Sequence, residues 1–597
     1  MSNLITRKEV NPDYCWKMSD LFVSDEVWEK EYEIVTNDIP ALDKFKGVIL
    51  SDGDKSGDTL LELLKLEDEL SLRVERLYVY ATQCFHQDMT NTLYQDMSSK
   101  AEMLLVKYQE AASFIDPLIL SIGKDCINEL CENNTELRLF DRVFEVLFRK
   151  AEHILDEDTE KLLAGVKEVS DGPGDIFAMF NNADIRFPNI KDENGEEVPI
   201  THGKYSLYLR NQNRQVREDA FKGLYSVYLA HRNTLAATYR ANVKQHAFFA
   251  RTRKYKNGME YSLADANIPV SVYDSLIKSV RDHLPLLHRY VSLRKKELDL
   301  DKIHMYDLYV PMVKEVDMSI EYEEAKKIVK EGLAPLGSDY QDMLQTGYDN
   351  GWIDVYENVG KRSGAYSWGA YGTHPYVLLN YQNDLNNVFT LAHEMGHALH
   401  SYYSDENQPY VYAGYKIFVA EVASTCNESL LVHHLLDKCE DENERKYLVN
   451  YFMEQFRTTF FRQAMFAEFE KITHEMCMNG ESLTAEGMCD IYKKLNEDYF
   501  GPDAYVDEQI AMEWARIPHF YNPFYVYQYA TGFAAAITIS KSILDGDEKV
   551  LEGYKLFLKS GGSMDPIDLL KLCGVDMTTT EPVDTALKVF EELLDKY

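Results

Sequence analysis

The stretch Asp384-Leu385-Asn386-Asn387-Val388-Phe389-Thr390-Leu391-Ala392-His393-Glu394-Met395-Gly396-His397-Ala398-Leu399-His400-Ser401 reads as one helix, with Asn383 or Asp384 able to cap its start. His393 and His397 stand four residues apart, so on a helix they lie one turn above each other and can aim ring nitrogens at a single ion. Glu394 is rotated by about 100° from His393, close to such an ion without having to bind it. With 16 histidines in the chain, this HExxH pattern arises by chance on the order of 0.04 times. The pattern therefore points to a metal site on a helix, not to two surface histidines.

Working outward, Ala365-Tyr366-Ser367-Trp368 and Tyr376-Val377-Leu378-Leu379 read as strands around Gly372-Thr373-His374-Pro375, which predicts a small β-hairpin beside the HExxH helix. Elsewhere the apolar spacing is helical. Leu63, Leu66, Leu70, Val74 and Leu77 recur at steps of three and four, after the turn-rich Ser51 to Asp54 and near caps at Ser56 and Asp58. The same period returns at 101–114, 141–168, 216–250, 272–297, 418–437, 446–475 and 582–596. The expected fold is mainly α, a large multi-helix body. Phe187-Pro188, Asp192 to Gly195 and Pro199 mark a turn-rich hairpin at 185–205, and a soft boundary falls there. No repeat of 20 to 50 residues appears.

Catalytic zinc takes three protein ligands and leaves a position for water, so one ligand has to come from elsewhere. His400 lies about 10 Å up the helix from His393, too far for the same ion. The longer HExxHxxGxxH motif fails, with His at 400 and Tyr at 403. Glu421, in a second helical segment following a turn-rich 404–409, is the favoured third ligand. Glu428 is its rival on the same face, and spacing leaves both open; the one that does not bind would orient a ligand histidine. Three look-alikes carry less weight: His474-Glu475 lacks a second histidine, Gly258-Met259-Glu260-Tyr261 lacks the spacing of an amine-binding loop, and His433-His434 fits a half-exposed helix pair. Gly396, inside the helix at a cost of about 1 kcal/mol relative to Ala, is expected where another backbone comes close, such as that of the Glu421 helix.

The 597 residues, 45% hydrophobic and 27% charged, can bury a large core. Ninety-nine acidic against 63 basic residues give −36, which repels nucleic acid and anionic lipid surfaces. Nine cysteines without CxxC spacing fit a reducing compartment, the cytoplasm. No secretory signal is read at the N-terminus. The uncharged run 517–540 is broken by Pro518, His519, Asn522, Pro523 and Gln528, so it is not expected to span a membrane. The N-x-S/T matches at Asn133 and Asn427 are expected by chance.

Beyond the HExxH motif, long stretches resemble the oligoendopeptidase F branch of the thimet oligopeptidase family of zinc metallopeptidases. The resemblance runs through Gly360-Lys361, Gly364 to Ser367, Pro375 to Tyr381, Val388 to Ser401, Glu421 to Thr425 and Ile517 to Gly532. It extends more weakly through 205–217 and 306–311 to 16–28. It implies His393, His397 and Glu421 as ligands of one Zn2+ per chain, with Glu394 as the catalytic base. It further implies an ellipsoidal fold enclosing a deep substrate channel, with residues 1–200 as a helical region covering it and 201–597 as the catalytic domain. Short peptides are the expected substrates and partners; self-association stays open.

The expected reaction is cleavage of internal bonds in short peptides, with zinc-bound water activated by Glu394, which then passes the proton to the leaving amine. An oxyanion also needs a donor aimed at it. The resemblance points to His519 and Tyr527, and leaves the roles of Tyr521, Tyr525 and Tyr529 open. Tyr521 and Tyr525 are candidate substrate contacts. Gly364, Ala365 and Tyr366 are expected to hold an extended peptide along a sheet edge.

Overall fold

The computed structural model describes residues 4–47, 56–313 and 319–597. It is 73% helical and 3% strand, the mainly α architecture expected from the periodicity. The leucine-rich pattern forms the 32-residue helix Ser56–Gln87, which buries Leu60, Leu63, Leu64, Leu70, Val74 and Leu77 along one side. Asp58 lies in its first turn, where a negative charge is favourable. The turn-rich Ser51 to Asp54 falls outside the described residues.

Several long periodic stretches prove to be helix pairs, because apolar period does not register a break that keeps the same face buried. The 141–168 pattern is divided into Asp141–Lys150 and Glu157–Ser170, the second capped by Asp156, whose carboxylate accepts from Thr159 N at 3.0 Å. The 272–297 pattern breaks at His283, just before Pro285 in the first turn of Leu284–Glu297. In 446–475 the chain stays helical but widens into a π-helical segment, Phe456–Phe461. The uncharged run at 517–540 contributes to a buried core, with Ala530, Ala534, Ala535 and Ala536 wholly covered. Among the described residues no helix is long and apolar enough to cross a membrane.

Both expected hairpins form. Asn189–Lys191 pairs antiparallel with Glu197–Pro199, and Gly195 takes the positive φ of +83° that the turn requires. Tyr366–Trp368 pairs antiparallel with Tyr376–Leu378, with Ser367 opposite Val377. A third strand, Ile353–Asp354, was not foreseen and runs parallel on the other side of Tyr376–Leu378. Two residues are too few to show alternation, and what fixes them is an ion cluster: Asp354, fully buried, takes Lys361 at 2.7 Å and Arg7 at 2.5 Å.

The chain divides into two compact units, each assembled from three segments. Unit one is Met1–Glu152, Met318–Leu431 and Ser542–Gly574; unit two is His153–Asp317, Val432–Lys541 and Val575–Tyr597. The hairpin at 185–205 is therefore internal to unit two, not an edge between compact units. The N-terminal 152 residues share one apolar core with the HExxH-side sheet: Trp16 packs 5.9 Å from Tyr376 and donates its indole N–H to Val377 O at 2.8 Å.

Candidate active site

In unit one, the HExxH stretch forms the helix Leu385–Asn407, capped by Asp384, whose carboxylate accepts from Asn387 N at 2.7 Å. Asn383 sits just before it at a φ of +45°. The helix continues through 404–407, where the sequence suggested turns, and a short turn of helix at Tyr410–Ala413 leads into Ile417–Lys438. These two long helices touch backbone to backbone at Gly396. A Cβ there would lie 2.6 Å from Ser424 Cα and 2.8 Å from Ala423 O, so only glycine fits. Asn427, wholly buried, ties them again by donating to Ala392 O at 3.0 Å, a position closed to glycosylation.

That crossing places three donors together. The Nε2 atoms of His393 and His397 are 3.2 Å apart, and Glu421 Oε2 lies 3.5 Å from the first and 3.4 Å from the second. Glu428, one residue set further along the same helix, turns to the opposite edge of the imidazole and meets His393 Nδ1 at 2.5 Å. The two carboxylates that spacing could not separate thus occupy different sides of one histidine. Ser424 Oγ donates to Glu421 Oε2 at 3.2 Å and helps to hold it.

Charge at this cluster follows from the crowding. Burial pulls the His393 imidazole down, but the Glu428 hydrogen bond and three neighbouring carboxylates lift it to about 9. Burial pushes Glu421 up, and the His397 hydrogen bond with both histidine charges outweighs it, leaving about 2. Glu394 is 7% exposed, and burial raises its carboxyl against the pull of His393 and His397. Glu394, Glu421 and Glu428 facing two histidines make an acidic pocket suited to a cation, which can replace the proton on His393. His400 is turned away, stacked 3.8 Å from Tyr415 and buried.

The sheet edge is also in unit one. Gly364 is exposed at a φ of +86°, and Ala365 and Tyr366 are half-buried. Tyr366 aims its hydroxyl at His86 Nδ1, 2.8 Å away, which leaves backbone rather than ring on the outer side of the strand.

The tyrosine-rich run belongs to unit two. His519 lies in the short Pro518–Tyr521 turn, stacked on Tyr525 at 5.8 Å, with Nε2 3.3 Å from Tyr529 Oη. Burial and the nearby Arg462 charge hold its imidazole below the usual range. Tyr521 stacks on Phe177 at 4.4 Å. Tyr527 is only 2% exposed and packs 5.0 Å from Tyr273. Tyr527, read from the sequence as an oxyanion donor, is thus packed inward, while Tyr529, two residues on, is half-buried. Of the look-alikes, Gly258 and His474 prove to be neighbours beside His246, while His433 and His434 are half-buried.

Known proteins resemble this chain along its whole length. The model of peptidase family M3 matches residues 207–589, and that of oligopeptidase F matches residues 119–187. The chain is 47% identical to oligopeptidase PepF of Bacillus subtilis (strain 168), covering 100% of this chain and 88% of that protein. It is 41% identical to an oligoendopeptidase F homolog of Lactococcus lactis subsp. lactis (strain IL1403), covering 99% and 98%. The crystal structure of oligoendopeptidase-F from Enterococcus faecium superposes with a TM-score of 0.74 at 37% identity, covering 96% of this chain and 98% of that one. With the site and these relatives agreeing on the class of enzyme read from its sequence, the chain belongs to peptidase family M3, a family of metallopeptidases.

Proposed function

We propose that the protein is a zinc-dependent endopeptidase that hydrolyses internal bonds of short oligopeptides. The observation that carries this reading is the His393–His397–Glu421 triangle. Zinc–nitrogen and zinc–oxygen bonds of about 2.0 to 2.2 Å in a tetrahedron put ligand atoms about 3.3 to 3.6 Å apart, and the three edges here are 3.2, 3.4 and 3.5 Å. His393, His397 and Glu421 would hold the ion, with Glu428 fixing the His393 ring through its other nitrogen. When bound, zinc supplies Lewis acidity that polarises a carbonyl and eases deprotonation of water.

Glu394 does the proton work. Its carboxylate accepts a proton as water oxygen bonds to the peptide carbon, then delivers that proton to the amine nitrogen as the C–N bond breaks. Burial supports this role, because an elevated carboxyl pKa lets the group hold the proton between the two steps. His519 and Tyr527 are the proposed donors toward the developing oxyanion, with Tyr529 3.3 Å from His519 as a neighbour. The outer edge of Tyr366–Trp368 would take an extended peptide by backbone pairing, a mode indifferent to side-chain sequence. Enclosure of the substrate in a channel, with 1–200 as its cover and 201–597 as the catalytic part, belongs to the same proposal. So does a cytoplasmic location, which nine free cysteines support.

The test is cleavage of an internally quenched peptide of about ten residues, blocked at both ends, a length suited to an enclosed site. Internal cleavage that a chelator stops and zinc restores is expected. Release of residues only from unblocked ends would replace this reading with an exopeptidase.

A further inference from the structure

Unit two contains a second charged site, remote in sequence from the HExxH helix and built from arginines. Arg457 and Arg462 lie at the start and just past the end of the π-helical segment Phe456–Phe461. Five residues apart on an α-helix they would diverge by about 140°; the wider i→i+5 turn brings them toward one face, and such segments are frequent at functional sites. With Arg516 they line one small, partly open cavity of about 30 Å3, together with the rings of Tyr205, Tyr225 and Tyr309.

The charges there do not balance. Arg294, Arg457, Arg462 and Arg516 draw their ion pairs from two carboxylates among the described residues. Glu454 takes Arg457 at 2.6 Å and Arg294 at 3.2 Å, and Glu513 takes Arg462 at 2.7 Å. Arg516 is left furthest from a counter-charge: its nearest carboxylate oxygen is 3.8 Å away, and its hydrogen bond to Tyr225 Oη is 3.4 Å long. Arg457 and Glu513 are 1% and 5% exposed, while the Arg462 and Arg516 side chains keep 20% and 23% of their surface, so water screens this cluster only in part. Nearby Asp307 cannot help, since Arg214 and Arg217 already claim it at 2.8 and 2.7 Å. A partly buried cation held this loosely, by Glu513 at 3.8 Å and the Tyr205 ring at 5.2 Å, is incompletely compensated, and a water molecule in the cavity would not neutralise it.

We propose that this cavity binds a small monovalent anion of chloride size, held by the guanidinium groups of Arg457, Arg462 and Arg516. Arginine forks and tyrosine hydroxyls are hydrogen-bond donors suited to an anion. On the measure by which one water needs about 10 to 15 Å3, the space admits a monatomic ion. Occupancy would also reach the tyrosine-rich run. Burial first and the Arg462 charge second depress the His519 imidazole, and an anion beside Arg462 offsets the second of these.

The test compares sodium chloride and sodium bromide with sodium gluconate, an anion too large for the cavity, at equal ionic strength on the full chain. A saturable halide-specific rise in Tm of about 3 to 5 °C is expected, absent in Arg516→Gln. Crystals soaked in bromide should show anomalous scattering in the cavity. Equal Tm values in halide and gluconate, with no bromide peak between Arg457, Arg462 and Arg516, would overturn the proposal. If Arg516→Gln does not fold, the halide–gluconate comparison and the bromide peak on the unaltered chain decide the matter.

Discussion

His393 meets Glu428 at 2.5 Å through the nitrogen that faces away from Glu421. Removing that carboxylate by Glu428→Ala frees the ring to turn and is expected to weaken zinc binding about 10- to 100-fold, measured by competition with a chelator; unchanged affinity would take Glu428 out of the site. Spacing favoured Glu421 without excluding Glu428, because seven residues return to the same helical face, and the resemblance named Glu421; the helix crossing sets the two carboxylates on different sides of His393. A different residue tests how burial acts in unit two. Glu470 accepts from Phe524 N at 2.7 Å, its other oxygen has no hydrogen-bond partner among the described residues, and burial pushes the carboxyl up to about 8. The folded chain then keeps a proton that the unfolded chain releases near 4.5. Its contribution to stability is full below about 4.5, falls as pH rises, and levels off above about 8. Glu470→Gln keeps the accepting oxygen without titrating, so its stability relative to the parent should climb between pH 5 and 8 in urea melts. A constant difference would mean that Glu470 ionises normally.

At the scale of elements, Gly396 was the clearest sign in the sequence. A glycine inside an otherwise strong helix required a close neighbour, and the neighbour is the backbone of Ser424. Gly396→Ala gains about 1 kcal/mol of helix propensity but forces atoms at 2.6 Å apart, an overpacking that typically costs about 1 to 3 kcal/mol. The variant is expected to melt at lower urea and to bind zinc more weakly, since Glu421 rides on the displaced helix; equal stability and affinity would show that the crossing can adjust. The hairpins were legible from turn residues between β-formers. The strand Ile353–Asp354 was not, because its stabilisation comes from Arg7 and Lys361, distant in sequence. The resemblance pointed to Tyr527 over Tyr529, and the burial of Tyr527 was not legible in the sequence, because the start of the helix Tyr527–Leu544 decides which tyrosine turns inward and composition says nothing about that.

For the molecule as a whole, the sequence showed a mainly α metalloendopeptidase, while the assembly of each unit from three distant segments had no local signature. Helical period reports which face is buried, not which segment covers it. The net charge of −36 does act at this scale. It should draw basic peptides faster than acidic ones of equal length at low salt, and the difference should shrink as salt shortens the Debye length from about 10 Å at 0.1 M to about 3 Å at 1 M. Equal rates at low salt would show that the field does not reach the site.

The central claim is that one zinc ion is held by His393, His397 and Glu421 while Glu394 moves the proton. The most direct measurement is zinc content together with turnover of the blocked peptide in Glu394→Gln. One zinc per chain retained, with turnover lowered about 100- to 10,000-fold, is the predicted result; retained turnover, or loss of the metal along with activity, would contradict it.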